Sequence, residues 1–175
     1  ERSFSQCLGC ATSKAACMNV LIQDGAVISH GPVGCASCLH EFAFTYRVNH
    51  PLRGIERPTP RRIFTTNLKE KETVYGGNIK LANTIREVYE RTQANAIFVL
   101  TTCAAGIIGD DVESVCNEAE DELGIPVVAI FCEGFRSKVW TTGFDAAYHG
   151  IARKLIQKPR KRRDDMINVI NFWGS

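Results

Sequence analysis

The organisation of the chain follows from one stretch, Ala26-Val27-Ile28-Ser29-His30-Gly31-Pro32-Val33-Gly34-Cys35. Its first three residues are apolar and predict a short buried strand. The two glycines permit tight turns and close backbone approaches, and the proline fixes its own φ. The stretch delivers Cys35 to the start of a predicted helix over residues 36–44. A helix N-terminus favours a thiolate, as a metal ligand requires, although a buried cysteine after a tight turn would give the same pattern.

Outward from this turn, apolar strands alternate with helical patterns. We predict further strands at 62–66, 96–100, 126–131 and 166–172, and helices at 13–22, 78–91, 110–123 and 140–156. Continuous apolar strands separated by amphipathic helices are typical of a parallel sheet covered on both faces. The predicted fold class is therefore α/β, a Rossmann-like open parallel sheet, in which the working loops lie beyond the carboxyl ends of the strands.

Length and composition set limits on the class of protein. The 175 residues predict a single domain with a proper core, and the 45% hydrophobic and 23% charged residues are ordinary for a soluble protein. A net charge of +2 gives no case for nucleic acid. No apolar run approaches the roughly 20 residues that a membrane span needs. We therefore predict neither a nucleic-acid partner nor a membrane partner, and a cytoplasmic location.

The ends of the chain and two of its segments predict a larger context. Because the sequence starts and ends abruptly, we expect a piece of a longer polypeptide. Residues 1–25 form a cysteine-bearing N-terminal segment. Residues 49–62 are rich in proline and arginine, and we predict a loop or an insertion there.

The eight cysteines point to metal chemistry. A secreted disulfide scaffold would be shorter and richer in loops, so we expect a reducing compartment with some cysteines packed and others binding metal. Two Cys-x-x-Cys pairs, Cys7/Cys10 and Cys35/Cys38, have the internal spacing of a zinc site. A predicted helix and a buried strand separate the pairs, whereas zinc ribbons use short hairpins. Spacing alone therefore neither establishes nor excludes a zinc site formed by the two pairs.

Three polar positions have structural interpretations. His30 ends a buried strand and is predicted to be a core histidine whose hydrogen bonds are satisfied. Asp110 and Asp111 are interpreted as the N-cap and a first-turn acid of the helix that follows them. Gly76-Gly77 is interpreted as the entry to a helix, because the lysine and hydroxyl residue of a phosphate-binding P-loop do not follow it.

A set of motifs occurs in a fixed order along the chain. They are Gly9-Cys10, Ile28 to Cys35, Phe64 to Glu72, Val74-Tyr75-Gly76-Gly77, Thr102-Cys103 with Gly106 to Glu113, and Cys132-Glu133-Gly134-Phe135-Arg136. Together they resemble the α subunit of nitrogenase component 1, the MoFe-type protein, and its relatives. The resemblance covers nearly the whole chain apart from residues 51–60. It implies that the chain is the first of three Rossmann-like domains of such a subunit.

The resemblance implies a cluster and its ligands. The family holds an all-cysteine [8Fe–7S] P-cluster at the interface of its α and β subunits. By motif position, the α-side ligands of this cluster, or of a smaller Fe–S cluster, are Cys10, Cys35 and Cys103. Cys7 competes with Cys10, because the match requires a one-residue deletion before the helix. Cys38 has no ligand role in the pattern and is expected to be packed.

The resemblance also assigns residues other than cysteines. Gly9 and Gly34 would let backbone approach the cluster, whose sulfides accept N–H donors. Arg136 matches an arginine that faces the active-site metal cofactor. Trp140 and Phe144 stand where the family has the glutamine and histidine of its dinitrogen-reducing pocket. A phenylalanine neither donates a proton nor hydrogen-bonds a sulfide, so the resemblance leaves the substrate open.

The function implied by the resemblance is that of a nitrogenase-type oxidoreductase subunit. It would pair with a β-type subunit, take electrons from an ATP-hydrolysing iron protein and pass them through the cluster to an active-site metallocofactor. The isolated fragment is expected to be inactive and to hold no cluster. Two alternatives stand beside this function. One is a cofactor-assembly scaffold, since such relatives commonly lack the pocket glutamine and histidine. The other is an α/β domain with structural zinc.

Overall fold

The sheet contains four parallel strands in a computed structural model that describes residues 9–22, 24–37, 39, 62–137, 139–158 and 165. The strands are β1 (Gly25–His30), β2 (Ile63–Thr65), β3 (Ala96–Thr101) and β4 (Val127–Ile130). Their order is β2-β1-β3-β4, so the chain crosses over between neighbours as a parallel sheet requires. The predicted α/β class is confirmed. The predicted strand at 166–172, nearly all of the loop at 49–62, and Cys7 and Cys38 lie outside the described residues.

Seven helices and one 3₁₀ turn connect these strands in the described part of the chain. They are α1 (Ala11–Asn19), α2 (residues 33–37), α3 (Glu70–Tyr75), α4 (Asn78–Thr92), α5 (Cys103–Ile108), α6 (Val112–Leu123) and α7 (Thr142–Lys154), with the turn at Gly134–Arg136. The four long predicted helices outside the 36–44 region are present with shifted ends. The sequence did not predict α3 or α5, and α2 begins earlier than predicted. No helix in the described ranges is long and apolar enough to cross a membrane.

Both faces of the sheet are covered, because successive residues of each strand point to opposite sides. On β3, Phe98 and Leu100 face a core shared with α1 and α7. Ile97 and Val99 face a second core, shared with α4 and α6. The continuous apolar strands of the sequence reflect this burial on two sides.

The caps of α6 show how local sequence sets element boundaries. The Asp111 carboxylate accepts a hydrogen bond from the Ser114 N–H at 3.1 Å, which satisfies one of the helix's unpaired donors. Gly124 ends the helix in the left-handed region with φ +69°. This arrangement places the Asp110 side chain outside the helix.

Candidate metal-cluster site

Three cysteines from separate parts of the chain line one open cleft of about 190 Å³. Cys10 immediately precedes α1, Cys35 lies in α2 after β1, and Cys103 is the first residue of α5 after β3. Two of the three loops leave carboxyl ends of strands, so the cleft lies at that edge of the sheet. The remaining lining residues are small or hydroxylated: Gly9, Thr12, Ser13, Gly34 and Thr102.

The backbone around Cys10 is held by Ser13. The Ser13 hydroxyl accepts the Cys10 N–H at 2.9 Å and donates to the Cys10 carbonyl oxygen at 2.7 Å. Gly9 has φ +113°, a conformation that side chains resist, and a Cβ there would overlap the Ser13 hydroxyl. Because Ser13 bonds back to Cys10, α1 begins two residues earlier than the predicted start at residue 13.

The first turn of α1 is tied to the ends of two strands through Thr12. Its hydroxyl lies 2.9 Å from the Cys132 carbonyl oxygen and 3.2 Å from that of Thr101. The Thr101 hydroxyl in turn donates to the Ile130 carbonyl oxygen at 3.1 Å and accepts the Cys132 N–H at 3.0 Å. These buried contacts fix the beginning of α1 at the carboxyl ends of β3 and β4.

The turn that carries Cys35 packs against the segment that carries Cys103. A Cβ on Gly31 would overlap the Thr102 side chain, so only glycine fits there. The Thr102 hydroxyl donates to the His30 carbonyl oxygen at 2.9 Å. The space beside Gly34 is open toward the cleft, so its backbone is accessible to a bound group.

Gly134 packs against two of the cleft cysteines, a contact that the sequence did not predict. A Cβ at this position would lie 3.1 Å from the Cys10 Cβ and 3.5 Å from the Cys103 sulfur. The backbone of the 3₁₀ turn therefore rests directly on two of the cysteines. The position of a glycine one residue past Cys132-Glu133 is the only sequence signal for this contact.

Exposure separates the cysteines of the described residues into two groups. Cys10 and Cys35 are exposed and Cys103 is partly so. Burial raises the pKa of Cys17 to about 11 and that of Cys116 to about 12. Burial likewise raises the pKa of the sixth thiol, Cys132, far above its ordinary value. Of the six described thiols, those of the cleft group are the accessible ones, and burial keeps the other three protonated, whereas metals bind thiolates.

Among the described residues, the cleft cysteines do not by themselves form a site for a single metal ion. Within the described ranges, no three ligating side chains lie close enough together to hold one metal ion. A zinc ion needs about four donors that converge at roughly 2.3 Å. Fe–S clusters are held by cysteine thiolates, which are the ligands that this cleft offers.

Comparison with known proteins decides the family. A family model described as nitrogenase component 1 type oxidoreductase matches residues 10–174.

The chain belongs to the nitrogenase component 1 family.

Relatives of two kinds are similar to this family member. The NifE iron-molybdenum cofactor biosynthesis protein of Clostridium pasteurianum is 35% identical over 153 residues, which cover 87% of this chain and 31% of that protein. The nitrogenase molybdenum-iron protein alpha chain of the same organism is 34% identical over 170 residues, which cover 95% and 31%. The solved structure "Nitrogenase Cp1 at pH 5" matches with a TM-score of 0.76 and 30% identity, over 94% of this chain and 34% of that one. The chain thus spans about a third of these relatives.

Trp140 and Phe144, which the resemblance places at the family's pocket positions, both lie against α1. Phe144 is 5% exposed and belongs to the core that α1 shares with the sheet. Trp140 packs edge-on against Phe144, with ring centroids 6.1 Å apart. The Lys14 ammonium, on a residue that is itself buried, lies 4.7 Å from the centre of the Trp140 ring. Both aromatic side chains therefore serve the packing of α7 on α1.

Arg136 and Glu133 form an ion pair beside the cleft. The Arg136 Nε lies 3.0 Å from the Glu133 Oε2, and the two side chains are 60% and 2% exposed. The Glu133 side chain packs against Gly106 of α5, where a Cβ would lie 2.8 Å from its Cγ. The guanidinium that the sequence predicts to face a cofactor is thus anchored to a buried carboxylate of its own turn.

His30 and Asp110 form a buried pair behind the cleft. The His30 Nε2 lies 3.0 Å from the Asp110 Oδ2, and neither side chain is more than 2% exposed. His30 is a satisfied core histidine, as predicted. The interpretation of Asp110 as a helix-capping residue was wrong, because Asp111 takes that role and Asp110 turns inward. Burial lowers the pKa of His30, against the opposing charge of Asp110, so the imidazole is neutral at pH 7.

Proposed function

We propose that this chain is part of the α-type subunit of a nitrogenase or nitrogenase-like reductase, and that Cys10, Cys35 and Cys103 ligate a P-cluster-type Fe–S cluster. The observation that supports this proposal is the shared cleft. Three accessible thiols, distant in the sequence, line one space, while three other thiols are buried. A cluster held there would store and transfer electrons.

The surroundings of the cleft fit a cluster with sulfide bridges. Glycine backbone lies at the cleft in Gly9 and Gly34, and the backbone of Gly134 rests on two of the cysteines. Sulfide and thiolate sulfurs accept hydrogen bonds from such backbone, and glycine permits a close approach. We infer that these residues orient and shield the cluster. Cys7 stays a competitor of Cys10 for the first ligand position.

The openness of this site supports a partner subunit in the proposal. Ligands from one chain hold one side of a large cluster, so the other side needs a β-type subunit. Val33 adjoins the cleft residue Gly34 and is 59% exposed, and Phe135 adjoins Gly134, which packs against Cys10, and is 54% exposed. Exposed apolar side chains at the rim of a site are typical of a surface that another protein covers.

The electron donor in this proposal is an ATP-hydrolysing iron protein. The contacting helices α3 and α5 carry the exposed side chains Val74, Tyr75 and Ile107, which are 74%, 82% and 76% exposed. Because α5 begins at Cys103, a donor docked on this surface would lie one short helix from the cluster. The acceptor would be an active-site metallocofactor held by further parts of the subunit, with Arg136 facing it. The complex is expected in the cytoplasm.

A cofactor-assembly scaffold is the second candidate, and one observation favours it. Trp140 and Phe144 pack toward α1 and supply neither an amide nor an imidazole at positions where the resemblance gives the family's reducing pocket a glutamine and a histidine. The similarity to NifE proteins supports the same candidate. In both functions the cysteine cleft would hold an Fe–S cluster, so the candidates share one site and differ in the final acceptor.

The test is metal analysis of the full-length subunit, purified with its β-type partner without oxygen. Iron with acid-labile sulfide is expected in the unaltered complex, and Cys10→Ala, Cys35→Ala and Cys103→Ala should each lose most of it. Cys116→Ala, which removes a buried thiol, should retain it. Zinc in place of iron, or full iron content in the three cleft variants, would contradict the proposal. ATP-dependent reduction of acetylene or protons by the complex separates the reductase from the scaffold.

A further inference from the structure

A continuous line of hydrogen bonds runs behind the cysteine cleft. The Gly77 N–H donates to the Asp110 Oδ1 at 2.7 Å, and the Asp110 Oδ2 lies 3.0 Å from the His30 Nε2. The His30 Nδ1 lies 3.1 Å from the Thr66 hydroxyl, which accepts the Gly31 N–H at 3.0 Å. The line therefore connects the start of α4 with the turn that leads to Cys35.

The donors in this line have one consistent arrangement. Because the Thr66 oxygen accepts the Gly31 N–H, its own proton is available for the His30 Nδ1. The other imidazole nitrogen then carries the proton and donates to Asp110. Every group in the line has a partner. His30 and Thr66 are 0% and 2% exposed, and Gly31 is buried. Satisfied polar networks in a low-dielectric interior hold a single geometry.

The line joins the elements that carry two of the cysteines. His30 ends β1 and stands five residues before Cys35. Asp110 follows α5, the helix that begins with Cys103. No other contact described above links the far end of α5 to β1. The His30–Asp110 pair thus ties the segment before Cys35 to the end of the helix that begins at Cys103.

We propose that His30 and Asp110 are positioning residues that hold the Cys35 turn and the Cys103 helix at a fixed spacing. Gly77, at the start of α4, is part of the same device, since a Cβ there would lie 2.7 Å from the Asp110 Oδ2 and 3.0 Å from the His30 Cε1. A change at Gly77 therefore reaches the cleft through Asp110. This role rests on the proposed function, in which His30 and Asp110 would preorganise the cysteine ligands of the cluster.

The spacing can be measured without metal. A short bifunctional thiol reagent such as dibromobimane bridges two sulfurs that lie within its reach and otherwise attaches to one. In the metal-free full-length subunit, mass spectrometry gives the ratio of Cys35–Cys103 bridge to single attachment. We expect Asp110→Ala to lower this ratio about tenfold, because intramolecular reactions fall steeply when the reacting groups are misplaced.

Two conservative variants separate positioning from stability. In Asp110→Asn the amide oxygen still accepts the Gly77 N–H, and the amide nitrogen donates to His30 once the imidazole changes tautomer. The ratio should stay within about twofold of the unaltered protein. Asp111→Asn, at the exposed neighbouring carboxylate that caps α6, should also stay there, because asparagine is an equally good cap.

Gly77→Ala tests the remote end of the line and replaces Asp110→Ala should that variant not fold. It should lower the ratio, whereas Ile79→Ala, which truncates an 81% exposed side chain two residues later, should not. Equal ratios in all variants, an equal fall in Asp111→Asn or Ile79→Ala, or a fall in Asp110→Asn as deep as in Asp110→Ala would overturn the proposal. Failure of the unaltered protein to bind iron would overturn the proposed function alone, since this measurement uses no metal.

Discussion

Gly143 in α7 lies directly against the backbone of Ala11 in α1, so that a Cβ on Gly143 would overlap the Ala11 carbonyl oxygen. Ala11 follows Cys10, so this contact sets how deeply the cysteine-bearing helix sits. In an isolated helix, Gly→Ala is favourable by about 1 kcal/mol. Here Gly143→Ala should instead lower the free energy of unfolding by about 1–3 kcal/mol, as overpacking does. Urea unfolding followed by circular dichroism measures the change.

An exposed position of the same helix provides the control for Gly143→Ala. His149→Ala changes an exposed side chain of α7 and should leave the free energy of unfolding within about 0.5 kcal/mol of the unaltered value. A Gly143→Ala protein at least as stable as the unaltered one would show that α1 and α7 are not in backbone contact.

The two groups of cysteines should differ in reactivity toward iodoacetamide. In the metal-free native protein, the accessible thiols at 10, 35 and 103 should be modified first. Cys17, Cys116 and Cys132 should stay unmodified until the protein unfolds, because burial raises their pKa and excludes the reagent. Peptide mapping by mass spectrometry gives the order. Modification of Cys132 at the same rate as Cys10 would contradict the buried position of Cys132.

The Thr12 hydroxyl should contribute substantially to the free energy of unfolding, because it is a buried hydrogen-bond donor. Thr12→Val keeps the volume but leaves the carbonyl oxygens of Thr101 and Cys132 without this buried donor. We expect a loss of about 1–3 kcal/mol in the free energy of unfolding. Thr12→Ser keeps the hydroxyl and should lose less than half as much. Equal losses in the two variants would assign the effect to the methyl group instead, and urea unfolding measures both.

Stability should depend on pH through His30. Burial lowers its pKa below the ordinary 6.5, so below that pH the unfolded chain binds the proton more readily than the folded protein does. The contribution of neutral His30 is therefore complete above pH 6.5 and is lost as the pH falls toward the lowered folded pKa. Urea unfolding from pH 7 downward should show a declining free energy of unfolding.

Two variants test whether His30 causes this pH dependence of the free energy of unfolding. His30→Gln should flatten the decline below pH 6.5, whereas His149→Gln, at an exposed histidine, should leave it unchanged. A decline of the same slope in His30→Gln would place its origin in the carboxylates, and His30 would then have no part in it.

Elements with strong local signals were predictable. The cores of β3 and β4 are continuous apolar runs bounded by polar or turn residues, and both strands were predicted to within about a residue. The boundaries of α6 follow from Asp111 and Gly124, whose capping chemistry is local. Helices α3 and α5 escaped prediction because each has only six residues, too few to show a period.

The site was predictable only in part, for a related reason. Ordered motifs singled out Cys10, Cys35 and Cys103, and the structure brings them to one cleft. The contact of Gly134 with Cys10 and the inward turn of Asp110 toward His30 join residues far apart in the chain. No local pattern encodes such pairs, because they depend on which strand ends become neighbours in the sheet.

The burial of α1 has a consequence for how the protein is made. All nine residues of the helix are buried, and its main helical neighbour is α7, near the other end of the described chain. The ribosome releases α1 long before α7, so α1 lacks its main packing partner until α7 has been synthesised. The backbone beside Cys10 therefore reaches its final position only after α7 has been synthesised and has packed against α1.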